Sequence, residues 1–194
     1  IRMMADNPKV CHYIDIPIQH ANDEVLKRMG RKTSQADLRR IVGALRQAMP
    51  DICIRTTLIC GFPGETEQAH EELKTFVSDM KLGCFAYSRQ EGTPADTFPD
   101  QVPEEIKQVR VAEIMELQQD ISAACNETYI GMTLDAFVEG KVADENVYVA
   151  RTYRDAPDVD GYVFIQTTRE LMTGDIVPVH VTGSYEYDLI GELA

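Results

Sequence analysis

The sequence predicts two folds in series: an α/β part with parallel strands over residues 1–130, then a small all-β barrel over residues 131–194. Three observations carry this. Apolar strand-like runs at 10–19, 52–59 and 84–88 are separated by segments of helical apolar period, and strands joined by helical crossovers form parallel sheets. A glycine-rich turn, Leu58-Ile59-Cys60-Gly61-Phe62-Pro63-Gly64-Glu65-Thr66, joins the middle run to an amphipathic segment. After Gly131, Val, Thr, Tyr and Phe become frequent and Lys and Arg sparse.

The first strand is expected at Val10–Gln19, irregular or cut short at Pro17, which cannot donate to a ladder. Asn22 or Asp23 caps a short helix through Met29, closed by Gly30. Ser34 and Asp37 have capping-box spacing, with Leu38, Ile41, Val42, Leu45 and Met49 as the buried stripe of the helix that follows. The strand Ile52–Ile59 enters the glycine turn, and Thr66 caps a helix with Ala69, Leu73, Phe76, Val77 and Met80 inside. Glu67, Glu71, Glu72 and Asp79 are expected on its solvated side. Gly83 starts a third strand through Ser88. Right-handed crossovers curl three such strands toward a barrel wall, but three cannot close one, so strands upstream of Ile1 are expected.

A turn-rich loop, Arg89–Ala95, precedes a long helix starting at Pro103-Glu104 and ending before Gly131. Its expected buried stripe is Ile106, Val109, Ile114, Leu117 and Ile121. Five short strands then read at 134–138, 147–152, 162–167, 176–182 and 187–193, which suggests a small closed antiparallel barrel.

The net charge of −13 argues against non-specific nucleic-acid binding and favours a basic partner. No apolar run approaches the roughly 20 residues of a membrane span, and no signal peptide is evident, so a cytoplasmic protein is expected. The five cysteines are widely spaced without CxxC, which reads as buried reduced thiols rather than disulfides or a zinc site.

Four segments in this order resemble the radical SAM methylthiotransferases: Tyr13-Ile14-Asp15-Ile16-Pro17-Ile18-Gln19-His20, Gly61-Phe62-Pro63-Gly64-Glu65-Thr66, Tyr87-Ser88-Arg89-Gln90-Glu91-Gly92-Thr93-Pro94-Ala95, and the terminal barrel, which is similar to a TRAM, OB-like domain. The resemblance covers essentially the whole chain. It implies that residues 1–130 are the C-terminal part of a radical SAM barrel with its connecting helix. Within the family, Ile-Pro-Ile-Gln-His and the segment Arg154–Gly161 resemble the RimO type, which modifies an aspartate of small-subunit ribosomal protein twelve, rather than the MiaB type, which modifies tRNA adenosine. From Gly131 onward four Lys/Arg face twelve Asp/Glu, a net charge of −8 that should repel tRNA and attract a basic ribosomal protein.

The resemblance further implies S-adenosylmethionine and two 4Fe-4S clusters as cofactors. The family's CxxxCxxC matches nothing here, so the chain is expected to hold no cluster ligand, no catalytic residue and no metal, and to be inactive alone. What remains is expected to be the nucleoside side of the cofactor site. Gln19 would bond ribose or carboxylate, Arg55 would pair a carboxylate if its side chain faces the barrel interior, Ile59, Gly61 and Phe62 would pack on adenine, and Ala86 and Tyr87 would lie across from them. Asp155, Asp158 and Asp160 form an acidic hairpin expected to dock the ribosomal protein. His20 reads as a hydrogen-bonded loop residue, His12, His70 and His180 as structural, and Asp15 and Glu65 as carboxylates near the strand ends that nothing pairs as acid and base. Two other readings stand beside the enzyme: a non-catalytic acidic binding module, and the tRNA-modifying relative.

Overall fold

The computed structural model describes residues 1–77 and 80–194; the expected surface position of Asp79 lies outside the described residues. The chain forms two compact units, one of residues 1–7 and 14–118, the other of residues 8–13 and 119–194.

The first unit begins with a short helix, α1 (Arg2–Asp6), and is built on a three-stranded sheet in the order β1 (Tyr13–Asp15), β2 (Cys53–Cys60), β3 (Lys81–Ala86), with β2 and β3 parallel. β1 ends two residues before Pro17, as its missing donor requires, and the chain rejoins β2 at a bridge from Gln19 to Leu58. Helices α2 (Asp23–Arg28), α3 (Gln35–Ala48) and α4 (Glu67–Phe76) form where the caps predict. The Asn22 side chain accepts from Glu24 N and Val25 N, and Thr66 from Ala69 N. Ser34 and Asp37 complete a reciprocal capping box. Each such cap contributes about 1 kcal/mol.

Along β2 the side chains alternate. Ile54, Thr56, Leu58 and Cys60 are buried among Leu45, Met49 and Leu73, while Arg55, Thr57 and Ile59 lie on the other, half-open face. The buried Thr56 is satisfied: its Oγ1 donates to Ile16 O at 2.8 Å and accepts from Ile18 N at 3.2 Å. β3 begins at Lys81, two residues before the expected Gly83.

The long helix α5 (Glu104–Glu127) gives residues 104–118 to the first unit and 119–127 to the second. Its expected apolar stripe holds at Ile114, which is buried, and at Leu117, which packs against the core, but fails at its start. Ile106 and Val109 are 43% and 57% exposed, and the buried positions are Lys107, Arg110, Ile114, Gln118, Ser122 and Asn126. These recur every three or four residues, so the helical period is intact, but most of the inward face is polar.

The second unit is a closed barrel in the order β4-β5-β6-β8-β7: β4 (Thr133–Lys141), β5 (Val147–Arg151), β6 (Val163–Gln166), β7 (Ile176–Ser184) and β8 (Leu189–Leu193). All five expected strands form. The barrel is not wholly antiparallel, because β6 and β8 pair in parallel. Its interior is filled by alternating small and branched residues, among them Ala136, Val138, Ala150, Ile165 and Val179.

The segment between β5 and β6 corrects the expected acidic hairpin. Asp155 is buried and accepts from Thr152 N at 3.1 Å and Thr152 Oγ1 at 2.7 Å. Asp160 accepts from Ala156 N at 2.9 Å and from the Tyr13 hydroxyl at 3.2 Å. Only Asp158 is exposed, with φ +59°. Short Asp side chains here replace missing backbone pairing, as such loops require. Arg154 is buried too, its guanidinium 3.7 Å from the Tyr129 ring centroid and its Nη2 donating to Asn126 Oδ1 at 3.2 Å.

No cysteine among the described residues is in a disulfide; Cys60 and Cys84 are buried, Cys53 is half-buried, and Cys11 and Cys125 are exposed, against the expectation of five buried thiols. No helix among the described residues is long and apolar enough to cross a membrane.

Candidate functional site

A cavity of about 700 Å³ lies in the first unit at the carboxyl ends of β2 and β3, where parallel sheets characteristically bind ligands. Gln19, Ile59, Phe62, Ala86 and Tyr87 all line it. The aromatic part is well defined. The Phe62 and Tyr87 rings meet edge to face with centroids 5.1 Å apart, and Phe98 approaches Phe62 at 6.3 Å. Gln19 reaches the cavity from a left-handed backbone, φ +70°, held on both sides by β2: Gln19 N donates to Thr57 O at 3.0 Å and its carbonyl accepts from Ile59 N at 2.8 Å. A non-glycine residue there stores strain that the two flanking bonds must hold.

Two expected contacts are placed elsewhere. Arg55 shares the half-open face of β2 with Ile59 but does not line the cavity; its Nη1 donates to Asp15 Oδ2 at 2.8 Å, an ion pair between β2 and β1. The cations at the cavity wall are instead Arg28 and Arg31. Gly61 is not at the wall either. It has φ +76°, and a Cβ built there would overlap Lys107 Cγ and sit 3.0 Å from Lys107 Cβ and Cδ. Gly64, at φ +85°, is likewise fitted against the Arg28 guanidinium. The two glycines therefore serve the turn by giving passage to long cationic side chains as well as by their backbone.

Behind the turn lies a buried polar cluster that sequence reading missed. Glu65 is its centre. Its Oε2 accepts from Gly61 N at 2.5 Å and Phe62 N at 3.2 Å, and its Oε1 accepts from Arg110 Nη1 at 3.1 Å. Burial raises the Glu65 pKa, with Arg110 and the turn amides pulling the other way. His20 Nδ1 accepts from Asn22 N at 2.9 Å, which leaves the proton on Nε2, 3.8 Å from Glu65 Oε2. Burial, then the charges of His70 and Arg110, lower the His20 pKa to about 3, so this imidazole is neutral. His70 is no isolated structural histidine: Nε2 meets Glu113 Oε2 at 2.9 Å and Nδ1 lies 3.8 Å from Glu65 Oε1. Burial lowers its pKa, but the Cys60 and Glu113 contacts and the Glu65 charge outweigh this and the net shift is upward.

Cys60, Glu65 and His70 bring potential ligand atoms within 4.8 Å of one another. Both Glu65 oxygens already accept hydrogen bonds, and the Arg110 guanidinium is held against one of them. Cys60 Sγ lies 3.3 Å from Cys84 Sγ, and this contact together with burial pushes the Cys60 thiol up, away from the thiolate a metal needs. The trio is a hydrogen-bonded core of the turn. Its one cysteine does not make a cluster site. The signal that was available in sequence was Lys107, Arg110, Gln118, Ser122 and Asn126 at helical spacing, polar residues on a face that the nearby aliphatics concealed.

Comparison with known proteins agrees with this architecture. The radical SAM superfamily model matches residues 1–77 and the TRAM domain model matches residues 130–194. Ribosomal protein uS12 methylthiotransferase RimO of Lachnoclostridium phytofermentans is 48% identical over 194 residues, covering 98% of this chain and 44% of that protein. The proteins of the same name from Desulforudis audaxviator and from Clostridium botulinum strain Hall are 46% and 47% identical, covering 97% and 98% of this chain and 42% and 43% of theirs. The chain thus spans less than half the length of the curated relatives it matches.

Proposed function

With the chain taken as a segment of the RimO-type radical SAM methylthiotransferases, we propose that its first unit supplies part of the S-adenosylmethionine wall and its barrel docks a basic small-subunit ribosomal protein, uS12 in the named relatives. The complete enzyme would add a methylthio group to an aspartate β-carbon. Of the two readings of the first motif, the match to RimO proteins favours this one over tRNA modification.

The observation that carries the reading is the cavity at the strand ends, where five of the seven residues expected at the cofactor meet. Its volume and mixed lining suit a nucleoside with a charged tail. Phe62, Ile59 and Ala86 offer apolar surface to a base, and the side-chain amide of Gln19 offers hydrogen bonds to hydroxyls or a carboxylate. Arg28 and Arg31, rather than Arg55, are the cations able to reach a carboxylate there. Bound, S-adenosylmethionine would supply radical and methyl-transfer chemistry. The residues of this chain orient it and exclude water. The two 4Fe-4S clusters implied by the family find no ligand set among the described residues.

For the barrel, the support is charge: a net −8 from residue 131 onward. Of the three aspartates expected to dock the partner, Asp158 alone offers an exposed carboxylate.

The test is calorimetric binding of S-adenosylhomocysteine to the chain. Phe62→Ala and Gln19→Ala are expected to weaken binding, whereas Arg55→Ala leaves it within a factor of two or so, by order of magnitude. Equal affinity in wild type and Phe62→Ala would place the ligand elsewhere and refute the cavity assignment.

A further inference from the structure

We propose that Lys107 and Arg110 of α5 are positioning residues for the cavity: neither lines it, yet each holds one of the two turns that do. The ligand part of this inference rests on the cofactor reading above.

Two cations one helical turn apart are almost fully buried, at 7% and 6% exposure, which is costly unless each is bonded. Each is, and to a different turn. Lys107 passes its aliphatic stem over Gly61 and donates from Nζ to Tyr87 O at 3.0 Å, with Glu104 Oε2 at 3.1 Å as its counter-charge. Tyr87 follows β3 directly and is tied to β2 by its own N–H to Cys60 O at 2.8 Å. Arg110 Nη1 donates to both the carbonyl and Oε1 of Glu65 at 3.1 Å, and its Nη2 reaches Glu67 Oε2 at 3.3 Å. Glu65 in turn receives the Gly61 and Phe62 amides, so Arg110 fixes the carboxylate that fixes the backbone carrying Phe62. The Lys107 ammonium also sits 5.3 Å from the Tyr87 ring centroid. The two aromatic rings facing each other in the cavity are thus each held from α5, one through Lys107 and one through Arg110.

A merely structural role would lower melting temperature without distinguishing the two turns. The positioning role predicts a split. In Arg110→Met, amide exchange at Gly61 and Phe62 should rise at least about tenfold, with Tyr87 little changed. In Lys107→Met, which keeps the stem and removes the donor, Tyr87 should respond and Phe62 much less. Arg110→Lys, able to restore one of the bonds, should recover part of the protection, and it serves if Arg110→Met does not fold. Glu116→Ala, on the exposed side of α5, is the control. Both buried-cation variants should bind S-adenosylhomocysteine at least about tenfold more weakly than wild type. Unchanged exchange at residues 61–62 and 87 in the folded variants overturns the inference, as does loosened exchange with unchanged affinity. If wild type itself does not bind this probe, the cofactor reading falls, and the split in exchange still decides whether α5 positions the turns.

Discussion

Replacing Gly61 by alanine should be far more damaging than the same change at Gly30, although both glycines have nearly the same backbone angle, φ +76° and +74°. At Gly30 an added Cβ meets nothing within 4 Å, so the cost is the left-handed conformation alone, about 1 kcal/mol. At Gly61 the Cβ overlaps the Lys107 stem, which cannot yield without withdrawing its ammonium from Tyr87 O. A buried acceptor left unmade adds about 1–3 kcal/mol, for a total of about 2–4 kcal/mol. In a chain of this size that corresponds to about 5–15 °C in the melting temperature. Calorimetric melts of Gly61→Ala, Gly30→Ala, Lys107→Ala and the Gly61→Ala/Lys107→Ala double variant give the coupling directly. With the stem already removed, Gly61→Ala should cost no more than Gly30→Ala, a coupling of about 1 kcal/mol or more. Equal costs at the two glycines, or equal cost of Gly61→Ala with and without Lys107, would refute the steric reasoning.

Two further outcomes follow from the same chemistry. His20 is neutral in the folded state, with its pKa depressed to about 3, so its contribution is complete above the unfolded value of about 6.5 and is lost as pH falls through the folded one. Between pH 6 and 4, wild type should therefore lose up to about 1.4 kcal/mol per pH unit more than His20→Asn in urea titrations; parallel slopes would show that His20 is not held neutral. Glu65 and His70, both shifted upward, act in the opposite sense and are common to the two proteins. In the barrel, Asp155→Ala should cost about 1–3 kcal/mol by stranding the Thr152 groups, while Asp158→Asn, which keeps a residue type tolerant of the left-handed backbone, stays within about 0.5 kcal/mol; a reversed order in denaturant midpoints would contradict the buried and exposed assignments.

Much of the fold is legible in sequence because local chemistry and tertiary structure agree there. Thr66, Ser34-Asp37 and Asn22 cap the helices they precede, and Pro17 cuts β1 short. The cavity residues Ile59, Phe62 and Tyr87 were accessible for the same reason: a strand end fixes where its side chains go. What was hidden depends on long separations. Glu65 meets Arg110 across 45 residues and Lys107 meets Tyr87 across 20, and neither pairing leaves a local trace. In α5, Ile106 and Val109 stand one position from the buried Lys107 and Arg110, so hydropathy alone selects the wrong face. The aspartates of the β5–β6 segment misled in the opposite way. Their charge suggests a surface patch, but two of them serve as surrogate backbone acceptors inside a loop.

The parallel pairing of β6 with β8 has an implication for synthesis. β8 alone joins β6 to β7, so four strands can assemble as a ribbon in the order β7-β4-β5-β6 before it arrives. Until residues 189–193 have left the ribosome, that ribbon presents two open edges, of β6 and of β7, each able to recruit a foreign strand. The nascent domain is thus most prone to association just before completion, and the last strand acts as a latch that quenches both edges in one step.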